Sequence, residues 1–218
     1  MSLVPRFVVV LDRAGCYLPL TDVATLALAG GADIIQIREK QLDERQLRAE
    51  IEAVLSAVTD PSRISINGRP DLAREYNTDL HLPELVTMPD RWLEDRLISR
   101  SVHFPLDQHI NGVDYLVLGN LLPTGSKPGL PGIGFDDFRA AVSGLNTPVL
   151  AIGGMEPGTV APSLDAGAFG VVVRSAVIGA LDPLSAALAI RKEIDAWTMQ
   201  NAQSPSSSTA NRAKSLTV

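Results

Sequence analysis

The sequence contains very little cysteine. Cys16 is the single cysteine among 218 residues, so the chain forms no internal disulfide and no cysteine-rich zinc site. A lone cysteine is also a weak indication of thiol catalysis, because a reactive thiolate needs a specific electropositive environment. We therefore interpret Cys16 as inert, and the low cysteine content favours a reducing compartment, the cytoplasm.

Long apolar stretches and excess positive charge are missing as well. No apolar run approaches the roughly 20 residues that a membrane helix needs, and the N-terminal MSLVPRFVVVL lacks the cleavage site of a secretory signal. The formal net charge is −6, whereas binding to nucleic acid requires a basic face. We expect neither a membrane nor a nucleic acid as a partner.

Large apolar residues almost disappear from the C-terminal stretch that begins near Asn201. This stretch is rich in Ser, Thr and Ala, and it cannot bury enough surface to offset the entropy lost on ordering. We predict a disordered tail over residues 201–218 and a single domain over residues 1–200.

The rest of the chain alternates between short apolar runs and helical patterns. Continuous apolar runs are typical of parallel strands that are covered on both faces. The predicted strands are 7–11, 34–38, 64–66, 79–82, 97–101, 115–118, 149–152 and 170–173, and the predicted helices are 21–30, 43–58, a short one from Pro70, 135–142, 159–166 and 183–199.

Eight strands separated mostly by helical segments predict a (β/α)8 TIM barrel, near the lower size limit of that fold. The segments 84–96 and 104–113 are short for crossover helices. An open doubly wound sheet is the alternative, but no GxGxxG motif follows the first strand.

Reactive groups of a TIM barrel lie where the strands end, on the carboxyl side. The candidate residues there are Gln36, Arg38 and Lys40 after the second strand, Asn67 after the third, Ser101 and His103 after the fifth, Thr124, Ser126 and Lys127 after the sixth, Gly153 and Gly154 after the seventh, and Arg174 and Ser175 after the eighth. We predict that they form a substrate and phosphate site, with His103 as the catalytic residue.

The last two strand ends carry the pattern of a phosphate site. In AIGGM, Gly153 and Gly154 let backbone N–H groups approach an anion closely. Ser175 begins a predicted short helix, whose N-terminus favours negative charge. Arg38 and Lys40, two residues apart, lie on one face of a strand and add positive charge.

These segments resemble the thiamine phosphate synthase/TenI family. Seven segments occur in the family's order over residues 7–197: QIREK, SINGRPDLA, DLHLPEL, SRSVH, YLVLGNLLPTGSK, LAIGGM and AGAFGVVVRSAV. The resemblance implies a TIM barrel, a role in thiamine biosynthesis and a small phosphorylated thiazole as substrate. It also implies that Gly153, Gly154 and Ser175 hold the thiazole phosphate.

The sequence departs from the synthases of this family where the resemblance implies magnesium ligands. Those synthases carry an aspartate directly after the asparagine that matches Asn67 and a second one after the fourth strand. Here Gly68 stands at the first position, and the second aligns near Val86, where there is no aspartate and Glu84 is nearby but shifted. Mg²⁺ prefers oxygen ligands that include carboxylates. We therefore expect no metal and no cofactor, with Mg²⁺ needed only if the chain is a synthase.

The SVH segment resembles the TenI-like branch, which includes thiazole tautomerases. These enzymes aromatise a thiazole carboxylate phosphate by moving a proton, and histidine gives and takes protons near neutral pH. His103 occupies the SVH position, so we predict that it is the acid/base. His81 is open to either a pocket-wall or a core role, and His109 is assigned none.

Four functions follow from these patterns. The favoured one is a metal-independent tautomerase. The others are a thiamine phosphate synthase with different metal ligands such as Glu84, a non-catalytic regulatory barrel that binds thiazole phosphate, and another phosphate-handling barrel enzyme. Further copies of this chain are a possible partner, because the sequence does not determine the oligomeric state.

Overall fold

The computed structural model describes residues 3–90, 92–106, 112–125 and 129–202. Eight parallel strands form a closed barrel in chain order, and the last strand pairs with the first. The predicted TIM barrel is therefore confirmed, and the open doubly wound alternative is wrong. No helix in the described part of the chain is long and apolar enough to cross a membrane.

The elements follow the predicted order. The strands are β1 Phe7–Leu11, β2 Ile34–Ile37, β3 Ile64–Asn67, β4 Asp79–Leu82, β5 Ile98–His103, β6 Tyr115–Gly119, β7 Val149–Ile152 and β8 Gly170–Val173. The α-helices are α1 Leu20–Ala29, α2 Glu44–Val58, α3 Pro70–Glu75, α4 Gly134–Val142, α5 Val160–Asp165, α6 Ser175–Ile178 and α7 Pro183–Ala202. The disordered tail was predicted over residues 201–218, but α7 continues through Asn201 and Ala202, so that boundary was two residues too early. The rest of the predicted tail, residues 203–218, lies outside the described residues.

Local sequence explains why these elements begin and end where they do. The Asp43 side chain caps α2 by accepting from the Gln46 backbone N–H, and the Gln46 Oε1 accepts from the Asp43 backbone N–H to complete a capping box. The helical spacing of Leu47, Ile51 and Val54 then buries one face of α2. The strands are almost wholly buried because helices cover the outside of the barrel while side chains fill its inside.

The connections after β4 and β5 differ from the others. Within their described residues, which omit 91 and 107–111, neither contains a helix. The sequence already showed both segments to be short for crossover helices. In place of a helix, the described part of these connections packs Val86, Met88, Trp92 and Leu106 against the buried core.

The inside of the barrel is divided into an apolar and a polar part. The apolar part is a cluster of buried side chains, Val8, Val10, Ile34, Leu97, Tyr115, Val117, Leu150 and Val172. Buried polar side chains come mainly from β2 to β5, and they include Gln36, Ser65, His81 and Ser99. Polar chemistry is therefore concentrated on one side of the barrel.

Candidate active site at the carboxyl end of the barrel

A cavity of about 670 Å³ opens at the carboxyl ends of the strands. Every predicted site residue that the structure describes lines it: Gln36, Arg38, Lys40, Asn67, Ser101, His103, Thr124, Gly153, Gly154, Arg174 and Ser175. The other two, Ser126 and Lys127, lie outside the described residues, as does His109. One cavity thus brings together predicted residues from six of the strand ends.

The glycine pair after β7 lies against the loop after β6. Gly153 has φ +103° and Gly154 has φ +69°. A Cβ added at Gly153 would lie 2.7 Å from the Asn120 Cβ, and one added at Gly154 would lie 2.6 Å from the Leu122 Cβ. Only glycine satisfies this backbone path without strain, which leaves the main chain exposed to an anion in the cavity.

The helix that begins at Ser175 is shorter than an anion site normally requires. α6 is a single turn of four residues, so its dipole is small compared with that of a full helix. The short helix that the sequence predicted at Ser175 is therefore present, and its role towards an anion stays a prediction.

Two arginines share one carboxylate beside the cavity. The Arg174 Nη2 lies 2.8 Å from the Asp12 Oδ2, and the Arg38 Nη1 lies 3.6 Å from the same oxygen. Burial lowers the pKa of Arg38, and the Asp12 charge opposes that shift. Glu39 is a second carboxylate that acts electrostatically on Arg38 and Arg174, and Lys40 is a third cation on the cavity wall. Three cations and two carboxylates lie at this wall, which suits a phosphate.

On another part of the cavity wall, His103 pairs with Glu84. The His103 Nδ1 lies 2.8 Å from the Glu84 Oε2, and both residues line the cavity. The His103 side chain is 46% exposed and that of Glu84 27%, so both remain accessible to a ligand. Sequence reasoning treated Glu84 only as a displaced metal ligand and missed its contact with His103.

His81 is a buried, neutral wall residue. Its Nδ1 lies 2.9 Å from the Ser99 Oγ, and its Nε2 lies 2.7 Å from the Ser101 Oγ. Burial, together with the smaller effects of the nearby Arg38 and Arg100 charges, lowers the pKa of His81 to about 3. His81 is therefore both a core residue and part of the pocket wall, and it does not titrate near neutral pH.

This burial predicts a pH-dependent effect on stability. Because the folded pKa of His81 is about 3, below its unfolded value, stability is lost as the pH falls from about 6.5 towards 3. We expect wild type to lose roughly 3 kcal/mol more than His81→Gln between pH 7 and pH 4. Urea unfolding at both pH values measures the difference.

A comparison of the two proteins isolates His81. Burial raises the pKa of Asp79 to about 7, so the contribution of Asp79 to the free energy of unfolding rises as the pH falls, opposite to that of His81. Asp79 is present in both proteins, and its contribution therefore cancels in the comparison. Equal pH slopes for wild type and His81→Gln would show that His81 is not held neutral.

The cavity also contains residues that the sequence analysis did not select. Val10, Val117, Ile152 and Val172 form an apolar wall, and Asn120 lies at the end of β6 with its Nδ2 buried and without a hydrogen-bond partner among the described residues. Apolar strand residues carry no motif, so sequence alone offers no means to tell those that face the cavity from those that face the helices.

The carboxylates do not fit a two-carboxylate magnesium site. Glu84 is the one carboxylate among the described cavity-lining residues, and its Oε2 already pairs with His103. In the described ranges, no group of three His, Cys, Asp or Glu side chains is placed to hold a metal ion. Gly68, at the end of β3, offers no side-chain ligand.

Comparisons with known proteins identify the family. The family model described as "Thiamine monophosphate synthase" (TMP-TENI) matches residues 7–177. The thiamine-phosphate synthase of Mycolicibacterium vanbaalenii is 38% identical over 206 residues, covering 81% of this chain and 92% of that protein. That of Thermus thermophilus is 36% identical over 197 residues, covering 86% and 96%.

A solved structure supports the same fold. Thiamine phosphate pyrophosphorylase from Pyrococcus furiosus superimposes with a TM-score of 0.71 at 24% identity, covering 88% of this chain and 96% of that one. The fold, the cavity and the matched sequence agree, and the family resemblance seen in the sequence is confirmed. The chain belongs to the thiamine phosphate synthase/TenI family, which acts in thiamine biosynthesis.

Proposed function

We propose that this chain is a metal-independent thiazole phosphate tautomerase in which His103 moves the proton. The observation that carries the proposal is the pair of His103 Nδ1 and Glu84 Oε2 at 2.8 Å, on the wall of a cavity that also contains the glycine pair. A base with an orienting carboxylate and an anion site are the two parts that this isomerisation needs.

The pair defines how His103 acts. The Glu84 carboxylate accepts a hydrogen bond from the His103 Nδ1–H, which makes Nε2 the basic ring nitrogen. In the reaction, Nε2 takes a proton from one carbon of the substrate and returns a proton to another, so that the double bonds rearrange into an aromatic ring. No atom is gained or lost, and no electron acceptor is needed.

The remaining cavity residues support binding of the substrate. Gly153 and Gly154 offer backbone N–H groups to the phosphate, with Arg174 as the neighbouring cation. Arg38 and Lys40 suit the substrate carboxylate, and the apolar wall suits the ring. We propose the same binding roles for Gln36, Asn67, Ser101, Thr124, Ser126, Lys127 and Ser175.

A second candidate is thiamine-phosphate synthase, and the names of the curated relatives favour it directly. This reaction joins a pyrimidine diphosphate to thiazole phosphate with Mg²⁺. Glu84 would have to leave His103 to supply a carboxylate, which is why the cavity geometry favours the proton shift. A barrel that binds thiazole phosphate without turnover is the non-catalytic outcome.

A side-by-side assay of the purified protein tests the proposal. We expect isomerisation of the thiazole carboxylate phosphate, with deuterium incorporation from D2O, at the same rate in Mg²⁺ and in EDTA. We expect no thiamine phosphate from the pyrimidine diphosphate and thiazole phosphate. Magnesium-dependent coupling without isomerisation would instead establish the synthase, and binding without either reaction would establish the non-catalytic barrel.

A further inference from the structure

Arg100 is a buried arginine that forms no ion pair with any residue in the described ranges. It is 5% exposed, and burial lowers its pKa. On β5 it alternates with Ser99 and Ser101, so its side chain leaves the barrel on the outer face. A buried cation without a carboxylate is unfavourable unless hydrogen bonds compensate it, so its contacts require an explanation.

The Arg100 guanidinium is hydrogen-bonded to the chain that follows β4. Its Nη1 donates to the Glu84 carbonyl at 2.8 Å and to the Val86 carbonyl at 2.9 Å, while the Pro83 carbonyl lies at 3.5 Å. These carbonyls belong to the connection that contains no helix among its described residues. Arg100 therefore supplies hydrogen bonds that a helical backbone would have supplied to its own carbonyls.

The same short segment carries the carboxylate of the acid–base pair. Arg100 fixes the Glu84 backbone from outside the barrel, and the Glu84 side chain reaches His103 at the cavity. Arg100 and His103 belong to one strand, β5. Strand β5 thus carries both His103 and the arginine that holds the Glu84 backbone, an arrangement that preorganises the His103–Glu84 pair.

We propose that Arg100 is a positioning residue that holds Glu84 within hydrogen-bond distance of His103. The proposal rests on the proposed function, because it gives the pair a catalytic purpose. Without the guanidinium, the Glu84 and Val86 carbonyls lose their partner and the segment can shift by more than the pair tolerates. Arg100 itself touches neither the substrate nor the reacting atoms.

Steady-state kinetics of Arg100→Met tests this role. We expect kcat for the isomerisation to fall about tenfold, as for a lost hydrogen bond, with the Kd of thiazole phosphate unchanged within about twofold. Arg100→Lys, whose ammonium can donate to the same carbonyls, should restore part of kcat. Arg48→Met is the matched control, because Arg48 lies on the outside of α2 and pairs with Glu44 and Glu75.

A double substitution separates positioning from a general structural role. If Arg100 acts through Glu84, Glu84→Ala combined with Arg100→Met should be no slower than Glu84→Ala alone. Additive losses in kcat, or a loss of thiazole phosphate affinity in Arg100→Met, would overturn the proposal. If Arg100→Met does not fold, Arg100→Lys takes its place in the cycle, with full additivity as the contradicting result.

A spectroscopic measurement decides the same question without turnover. Ring ¹⁵N NMR of His103 should show the Nδ1–H tautomer in wild type and a mixture in both Arg100→Met and Glu84→Ala. An unchanged tautomer in Arg100→Met overturns the positioning role even if the enzyme is active. A wild-type protein that lacks isomerase activity overturns the proposed function, yet the NMR result still reports whether Arg100 holds the pair.

Discussion

Replacing His103 with glutamine is expected to lower kcat for the isomerisation by about a thousandfold, within the range for loss of a general acid–base group. Glutamine preserves the length of the side chain and a hydrogen bond to Glu84, but its amide takes no proton at neutral pH. The Kd of thiazole phosphate should stay within about twofold, because His103 is not part of the anion site. Stopped assays and isothermal titration measure the two quantities.

The companion variant Glu84→Gln should lose much less activity, about tenfold. In that variant the base remains and only its orientation weakens. Equal turnover by wild type and His103→Gln would refute the role of His103 as acid/base. If His103→Gln instead retained full magnesium-dependent coupling, the synthase would be the activity of this cavity.

The contact between Glu84 and His103 shows where sequence reasoning ends. His103 was selected because the SVH motif ends at a strand, and strand ends in a barrel converge on one rim. Glu84 lies 19 residues earlier in a segment without periodicity, and its direction depends on hydrogen bonds from Arg100. The local sequence pattern does not determine the backbone conformation around Glu84. The sequence analysis therefore considered Glu84 only as a residue close in sequence to the expected metal ligand.

His81 illustrates the opposite situation. Sequence placed it in β4 and left core and pocket-wall roles open, and the structure shows that it fulfils both. The deciding partners, Ser99 and Ser101, are two residues apart and face the inside of β5 together. Strand alternation predicts that they share a face, but the register that sets them beside His81 is a property of the closed barrel.

The glycine pair was correctly located by sequence because its requirement is local. Two adjacent glycines after a buried strand indicate a backbone conformation that other residues adopt only with strain, whatever the surrounding fold. What the sequence did not predict is the neighbour that imposes this path. The backbone of Asn120, from the adjacent strand end, approaches Gly153 so closely that there is no room for a side chain.

Replacing Gly153 with alanine should therefore damage both stability and binding. The new Cβ would lie 2.7 Å from the Asn120 Cβ and 2.9 Å from its Cα, and alanine is strained at φ +103°. We expect a loss of about 3 kcal/mol in the free energy of unfolding, since clash and strain add. Because the displaced backbone belongs to the proposed anion site, the Kd of thiazole phosphate should rise at least about tenfold.

Gly158→Ala provides the matched control for this prediction. Gly158 has φ +93°, but a Cβ there meets no atom within 4 Å, so the substitution adds backbone strain without a clash. It should cost about 1 kcal/mol and leave the Kd of thiazole phosphate unchanged. Thermal unfolding and titration of both variants separate the two effects: equal losses in both would mean that strain alone acts at Gly153, and that its close approach to Asn120 does not shape the anion site.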